Sequence, residues 1–421
     1  MKILKDLIYA DTHNYKGTVH HQFADLAHLF SRLQDSRTEQ GGASLAVYYG
    51  QEKVVDIYVG KKSASEEWSE DTMAMCYSTG KGILATLAHI LVSEGRLDYR
   101  QSIADYWPEF AEHGKSKITL ADVLSHRSGL YDVRNVIAQA SEMADWDHML
   151  NVMASATPRF KPNSNYAYQA LTYGWLLGGL IEKATQQNLS ELMNQYLVEP
   201  LQLDGAYFGV PQDQLSRIAK PLEKTNIERK SSTTQVAQQN KKKQKVSFSD
   251  RIIQYSGQNP DDFIDAMIPK GMKGFSFFDD RVLTQPIPAA NGVFTARSLA
   301  KIYAMMAHYG QFESRQFIKP LVFKQLSQIQ SYDRDKVMPI PMHWRLGYHR
   351  VITLGKSAKN GFGHMGYNGS GAWCDPERKL SFAYTHNYPV GSITGDYRLW
   401  SLSQEALRCV DHINNGKKGW F

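Results

Sequence analysis

Residues 73–95 read MAMCYSTGKGILATLAHILVSEG, an extended segment followed directly, from Ser78, by a helical one. Ile83, Leu84, Leu87, Ala88, Ile90 and Leu91 recur at helical spacing and mark one apolar face, and Gly95 supplies a C′ stop. Ser78 and Lys81 stand three apart, so on a helix they share a face and the amine reaches the hydroxyl. A serine hydroxyl is a weak nucleophile until a base takes its proton. Burial and the positive end of the helix dipole both disfavour an ammonium, and a lysine made neutral in this way serves as a general base. A second Ser-x-x-Lys, Ser298 to Lys301, lacks this setting and reads as an ordinary helix start behind Thr295 as N-cap.

Outward from this segment, Phe23, Leu26, Ala27, Leu29, Phe30 and Leu33 predict a helix, and Ala43 to Lys62 predict a hairpin about Gly50-Gln51-Glu52-Lys53. Such a pair fits an antiparallel sheet with one face covered by helices. Further helices are expected over 119–125, from about Ala170 through Ala184, and after Thr295. Strand signals return in WRLGYHRVITL (344–354), GSGAWCDP (369–376) and KLSFAYTHN (379–387), with a turn at Asp375-Pro376-Glu377-Arg378. Strands, then helices, then strands imply an α+β fold. Residues 1–80 and 290–421 would build a lobe around an antiparallel sheet, and 81–289 a mostly helical lobe, with the site in the cleft between them.

Charge and composition remove several classes of function. Of the net charge of +6, five units come from 223–247, which holds seven Lys or Arg and two Glu. This polar tract reads as a basic low-complexity insertion, so no nucleic-acid partner is expected. No apolar run is long enough to span a bilayer. Lys5, Asp6 and Asp11 interrupt the N-terminal apolar run, which argues against a secretory signal. A cytoplasmic location is expected, with a periplasmic one left open by a processed N-terminus. Cys76, Cys374 and Cys409 show no CxxC spacing and read as reduced thiols. No HExxH occurs, and His20-His21 reads as a pair of surface histidines; neither metal nor cofactor is expected.

Two further segments complete the pattern. Asn165-Tyr166-Ala167-Tyr168-Gln169-Ala170 leads into LTYGWLLGGLIEKATQQNLSELM, and Gly363-His364-Met365-Gly366-Tyr367 precedes NGSGAWCDPERKLSFAYTHN. Together with Ser78-Thr79-Gly80-Lys81 they resemble the three motifs of the serine β-lactamase and penicillin-binding-protein superfamily, in its class C-like, family VIII esterase-like branch. Residues 95–130 and 288–305 add framework similarity, so the resemblance spans roughly 40–410. It implies a β-lactamase/transpeptidase-like fold. Tyr168, in a Y-x-A form of the usual Y-x-N, would relay protons between serine, lysine and leaving group, with Tyr166 as its rival. His364, in H-x-G where β-lactamases have K-T-G, would supply a proton or a polar contact at the mouth of the cleft. Gly366 would let substrate lie close to the strand, and the Tyr367 N–H, with that of Ser78, would form the oxyanion hole.

The function expected from these residues is a carboxylesterase-like serine hydrolase acting through an acyl-enzyme on small esters or amides. A β-lactamase, a D-amino-acid peptidase, a transesterase and a catalytically silent binding protein on the same fold are the alternatives. An α/β-hydrolase is set aside because no G-x-S-x-G occurs.

Overall fold

The computed structural model describes residues 7–11, 15–222, 258–390 and 396–418; the basic tract 223–247 lies outside them. Eight antiparallel strands form the main sheet, in the order Leu7–Asp11, Lys16–His20, Glu52–Gly60, Gly42–Tyr49, Leu380–His386, Gly371–Asp375, Phe362–Met365 and His349–Arg350. The predicted hairpin is therefore joined, along Gly42–Tyr49, by a strand from near the far end of the chain, paired from Leu380↔Tyr49 to His386↔Ala43. This is the expected α+β architecture.

Both faces of the sheet are covered, rather than the one expected. Leu45, Val47, Phe382 and Tyr384 pack with the helices Ala24–Gln34 and Tyr397–Lys418. On the other face, Ala46, Ala372 and Ala383 lie against the helix Ala296–Ala307. Gly42–Tyr48 is buried at every position as a result. A strand covered on both sides has no polar half, so ASLAVYY (43–49) shows no apolar/polar alternation.

The helix from Ser78 runs Thr79–Ser93, and only Val92 of its residues is not buried. Its predicted single apolar face is thus a helix enclosed all round, lying against the helix Thr172–Thr185 and the strand Phe362–Met365. The extended segment before it is the strand Met73–Met75, in a small second sheet with Ala206–Tyr207, Ile218–Ala219 and Val293–Phe294. Thr295 caps the helix Ala296–Ala307 as expected, its hydroxyl accepting from Ser298 N–H.

Two expectations fail locally. Of 344–354 only His349–Arg350 joins the sheet. Gly347 has φ +84°, and Arg345 N–H donates back to the Tyr348 carbonyl, so the chain turns where a strand was expected. His20 is buried rather than on the surface, because it ends a strand covered by the helix it precedes; its Nδ1 accepts from Gln22 N–H. All three cysteines are free and buried. No helix among the described residues is long and apolar enough to cross a membrane.

Candidate active site

The small sheet delivers the chain to a tight turn. Cys76 N–H donates to the Gly292 carbonyl, and the amides of Thr79 and Gly80 donate to the carbonyls of Cys76 and Tyr77. Tyr77 adopts φ +47°, a left-handed conformation disfavoured for a bulky residue. Its ring is held by edge contacts with Tyr367, centroids 5.8 Å apart, and Phe277 at 6.4 Å. This turn sets Ser78 at the mouth of the buried helix.

Lys81 is fully buried, and among the described residues no carboxylate pairs with it. Its Nζ lies 2.9 Å from Ser78 Oγ, 2.7 Å from the Ala170 carbonyl oxygen and 2.9 Å from that of Ala289. Burial holds its pKa well below the ordinary lysine value of 10.5. The two carbonyls accept only, so a neutral amine donates its two hydrogens to them and turns its lone pair to Ser78. That arrangement accepts a proton from the hydroxyl. By contrast Ser298 Oγ is bound to the Asp204 carbonyl, and Lys301 Nζ lies 5.5 Å over the Phe312 ring, so the second Ser-x-x-Lys is a helix cap.

Of the two tyrosines, Tyr168 meets the pair. Lys81 Nζ lies 5.0 Å from its ring centroid, and the ring stacks on Trp344 at 5.4 Å and 11°. Burial raises its pKa; a hydrogen bond with Ser78 partly offsets this, and the Asp335 charge adds to it, so the phenol stays protonated. Tyr166 points elsewhere, its hydroxyl 3.3 Å from the Gln330 carbonyl oxygen and its ring under the Arg127 guanidinium.

His364, Gly366 and Tyr367 also come to this place, with differences from expectation. His364 is only 4% exposed, because its strand packs on the Ser78 helix; the residue at the mouth is Tyr367, 48% exposed. The His364 Nδ1 lies 3.0 Å from the Met365 carbonyl oxygen and must carry the hydrogen there, while Nε2 has no partner among the described residues. Burial first, then the neighbouring His349 and Lys81, pushes its pKa well down. The ring is therefore neutral and offers an acceptor, not a proton. A Cβ on Gly366 would sit 2.3 Å from the Cys76 carbonyl oxygen, so the glycine lets the strand approach the serine turn. Thr79 Oγ1 reinforces that contact, donating to the Ser370 carbonyl at 3.2 Å. Gly366 N–H is taken by the Ser370 carbonyl, whereas no acceptor among the described residues takes the amide hydrogen of Ser78 or Tyr367.

Several participants carry no sequence signal. The carbonyls of Ala170 and Ala289 hold Lys81 with backbone atoms, which residue type does not reveal. His126, buried edge-on to Tyr168 at 5.0 Å, and His349, 4.8 Å from His364, complete an aromatic surround. A cavity of about 30 Å³ is lined by Ser78, Tyr168, His349, His364, Gly366, Tyr367 and four methionines, Met267, Met338, Met342 and Met365. A wider depression of about 1000 Å³, lined by Tyr131, Asp132, Arg159 and Asp262 among others, contains none of the three predicted motifs' key residues; chemistry, not size, locates the site. No group of His, Cys, Asp and Glu among the described residues is arranged to hold a metal ion.

Comparison with known proteins agrees with this geometry: residues 26–402 match the family described as Beta-lactamase. The chain belongs to the beta-lactamase family. As a member it is similar to Esterase/beta-lactamase LipL of Mycobacterium tuberculosis (strain ATCC 25618 / H37Rv), 32% identical over 385 residues, covering 88% of this chain and 82% of LipL. A penicillin-binding-protein homolog from Caulobacter crescentus superposes with a TM-score of 0.78 at 28% identity, over 94% of this chain and 99% of its own. A family VIII carboxylesterase gives 0.78 at 26% identity with the same coverage. The protein is accordingly a hydrolase of the beta-lactamase fold.

Proposed function

We propose that the protein is a serine carboxylesterase in which Ser78 forms an acyl-enzyme with small, uncharged esters. The observation that carries this reading is the Lys81 amine, 2.9 Å from Ser78 Oγ with two carbonyls occupying its other directions. Lys81 takes the hydroxyl proton as Ser78 attacks the ester carbonyl. The oxyanion is received by the N–H groups of Ser78 and Tyr367. Tyr168, protonated and lining the same cavity as Ser78, passes a proton to the departing alkoxide and is reprotonated from Lys81. Water then enters, is deprotonated by the same groups, and releases the acid. These steps call for no metal or redox group.

Esters are favoured over lactams and D-amino-acid peptides by the lining of the cavity. Penicillins and C-terminal peptides carry a carboxylate, yet among the described residues the lining includes no lysine or arginine, and His364 is neutral. The four methionines offer an apolar, adaptable wall to an acyl group. The names of LipL and of the family VIII carboxylesterase support ester chemistry. LipL's double name keeps β-lactam cleavage as the second reading.

Turnover of p-nitrophenyl esters, nitrocefin and D-Ala peptides, with intact-mass detection and peptide mapping of the adduct, tests the proposal. An acyl adduct on the Ser78 peptide and its loss in Ser78→Ala are expected. Nitrocefin turnover far above ester turnover would replace the ester reading with the lactam one, and turnover surviving in Ser78→Ala would remove both.

A further inference from the structure

Asp335 is a buried carboxylate that takes no part in the steps above, and among the described residues no lysine or arginine pairs with it. Four donors surround it instead. Oδ1 accepts from the backbone N–H groups of Tyr168 at 3.1 Å, Val337 at 2.8 Å and Met338 at 2.9 Å, and Oδ2 accepts from the indole N–H of Trp344 at 2.9 Å. A carboxylate met only by donors is satisfied as the anion. Two of the four lead to the same place. One fixes the backbone of Tyr168; the other fixes the indole that lies parallel to the Tyr168 ring, 5.4 Å away. Lys336 N–H adds a bond to the Tyr166 carbonyl, so the loop is tied to the Tyr166–Tyr168 segment at both of its ends.

We infer that Asp335 is a positioning residue for the reaction at Ser78: through the Tyr168 amide and the Trp344 indole it holds the Tyr168 hydroxyl at the serine. A loop that only closed the fold would need the turn bonds to Val337 and Met338 but not a second oxygen directed to the plate over the phenol. A phenol displaced by about an ångström loses its proton-transfer geometry while substrate still binds. The inference rests on the proposed role of Ser78 and Tyr168, and its test separates the two.

The experiment is a double-mutant cycle on the full chain, with p-nitrophenyl acetate as substrate and melting temperature recorded for each variant. Asp335→Asn retains an acceptor for the three backbone donors but presents an amide N–H to the indole N–H. It is expected to lower kcat on the order of 10- to 100-fold with KM within about threefold. In the Tyr168→Phe background there is no hydroxyl to aim, so the same substitution should change kcat by less than about twofold. Trp344→Phe, which keeps an aromatic ring at this position but removes the indole N–H with its five-membered ring, goes through the same cycle and decides the matter should Asp335→Asn fail to fold. An equal fall in kcat with and without the Tyr168 hydroxyl would overturn the inference, as would an effect confined to KM, which would report a displaced Met338 wall. Turnover that persists in Ser78→Ala would instead overturn the nucleophile assignment.

Discussion

Lys81 is an amine in a place that suits only its uncharged form, with two carbonyls and one hydroxyl around Nζ and no counter-ion among the described residues. Replacing it with alanine should lower the acylation rate by at least about 100-fold, the scale of a lost general base, measured by burst kinetics. Lys81→Arg should be no better, since a guanidinium stays charged and cannot accept the proton. The pH dependence has a definite sign. The reactive form is deprotonated and its pKa is depressed, so kcat/KM should rise with pH and level off below the ordinary lysine value of 10.5. A limb that still climbed beyond that value would show an unperturbed lysine. The tyrosines divide as sharply: Tyr168→Phe should cost about 100-fold or more in kcat, and Tyr166→Phe should leave kcat within about twofold, because its hydroxyl reaches only the Gln330 carbonyl.

Between elements, the decisive contact is the crossing of Phe362–Gly366 over the serine turn. The Gly366 backbone lies against the Cys76 carbonyl, and Thr79 is tied to Ser370. Gly366→Ala places a methyl 2.3 Å from that oxygen, and neither partner is a flexible side chain that could swing away. The strand must lift, at a cost of about 1–3 kcal/mol in overpacking. A lower melting temperature together with slower fluorophosphonate labelling of Ser78 is expected, since the lift carries the Tyr367 N–H away from the oxyanion position. A variant that melts lower but labels at the normal rate would remove Tyr367 from that role.

Across the whole molecule, burial has produced a set of neutral bases. His89 is pushed down to about 3 and His349 to about 4, both chiefly by burial, and His126 and His364 lie well below the usual value. In the unfolded chain an imidazole titrates near ~6.5, so below that pH the unfolded state binds more protons. The stability these groups carry is therefore complete above about pH 6.5. It is lost as pH falls from the unfolded value towards the folded values of His349 and His89, each ring adding a slope of up to about 1.4 kcal/mol per pH unit that ends once its folded value is passed. Lys81 acts in the same direction at higher pH, being neutral when folded and protonated when unfolded. Urea midpoints should fall steadily from pH 7 to 4; a flat profile would mean that these rings are solvated.

Spacing along the chain determined what lies within a helical turn or a hairpin: the Ser78–Lys81 face, the Thr295 cap, the strands 42–49 and 52–60, and the order of three motifs that places the chain in its family. All but the motif order, which rests on family resemblance, are local, set by backbone geometry and by where apolar residues recur. The depth of His364, the packing of Gly366 on the serine turn, the Gln330 carbonyl as partner of Tyr166, and the carbonyls of Ala170 and Ala289, which lie 89 and 208 residues from Lys81, were decided only by tertiary packing. Backbone acceptors look alike at every residue, and desolvation depends on what covers a group from distant parts of the chain, so neither the neutrality of Lys81 nor the grip of Asp335 on Tyr168 is written in any local pattern.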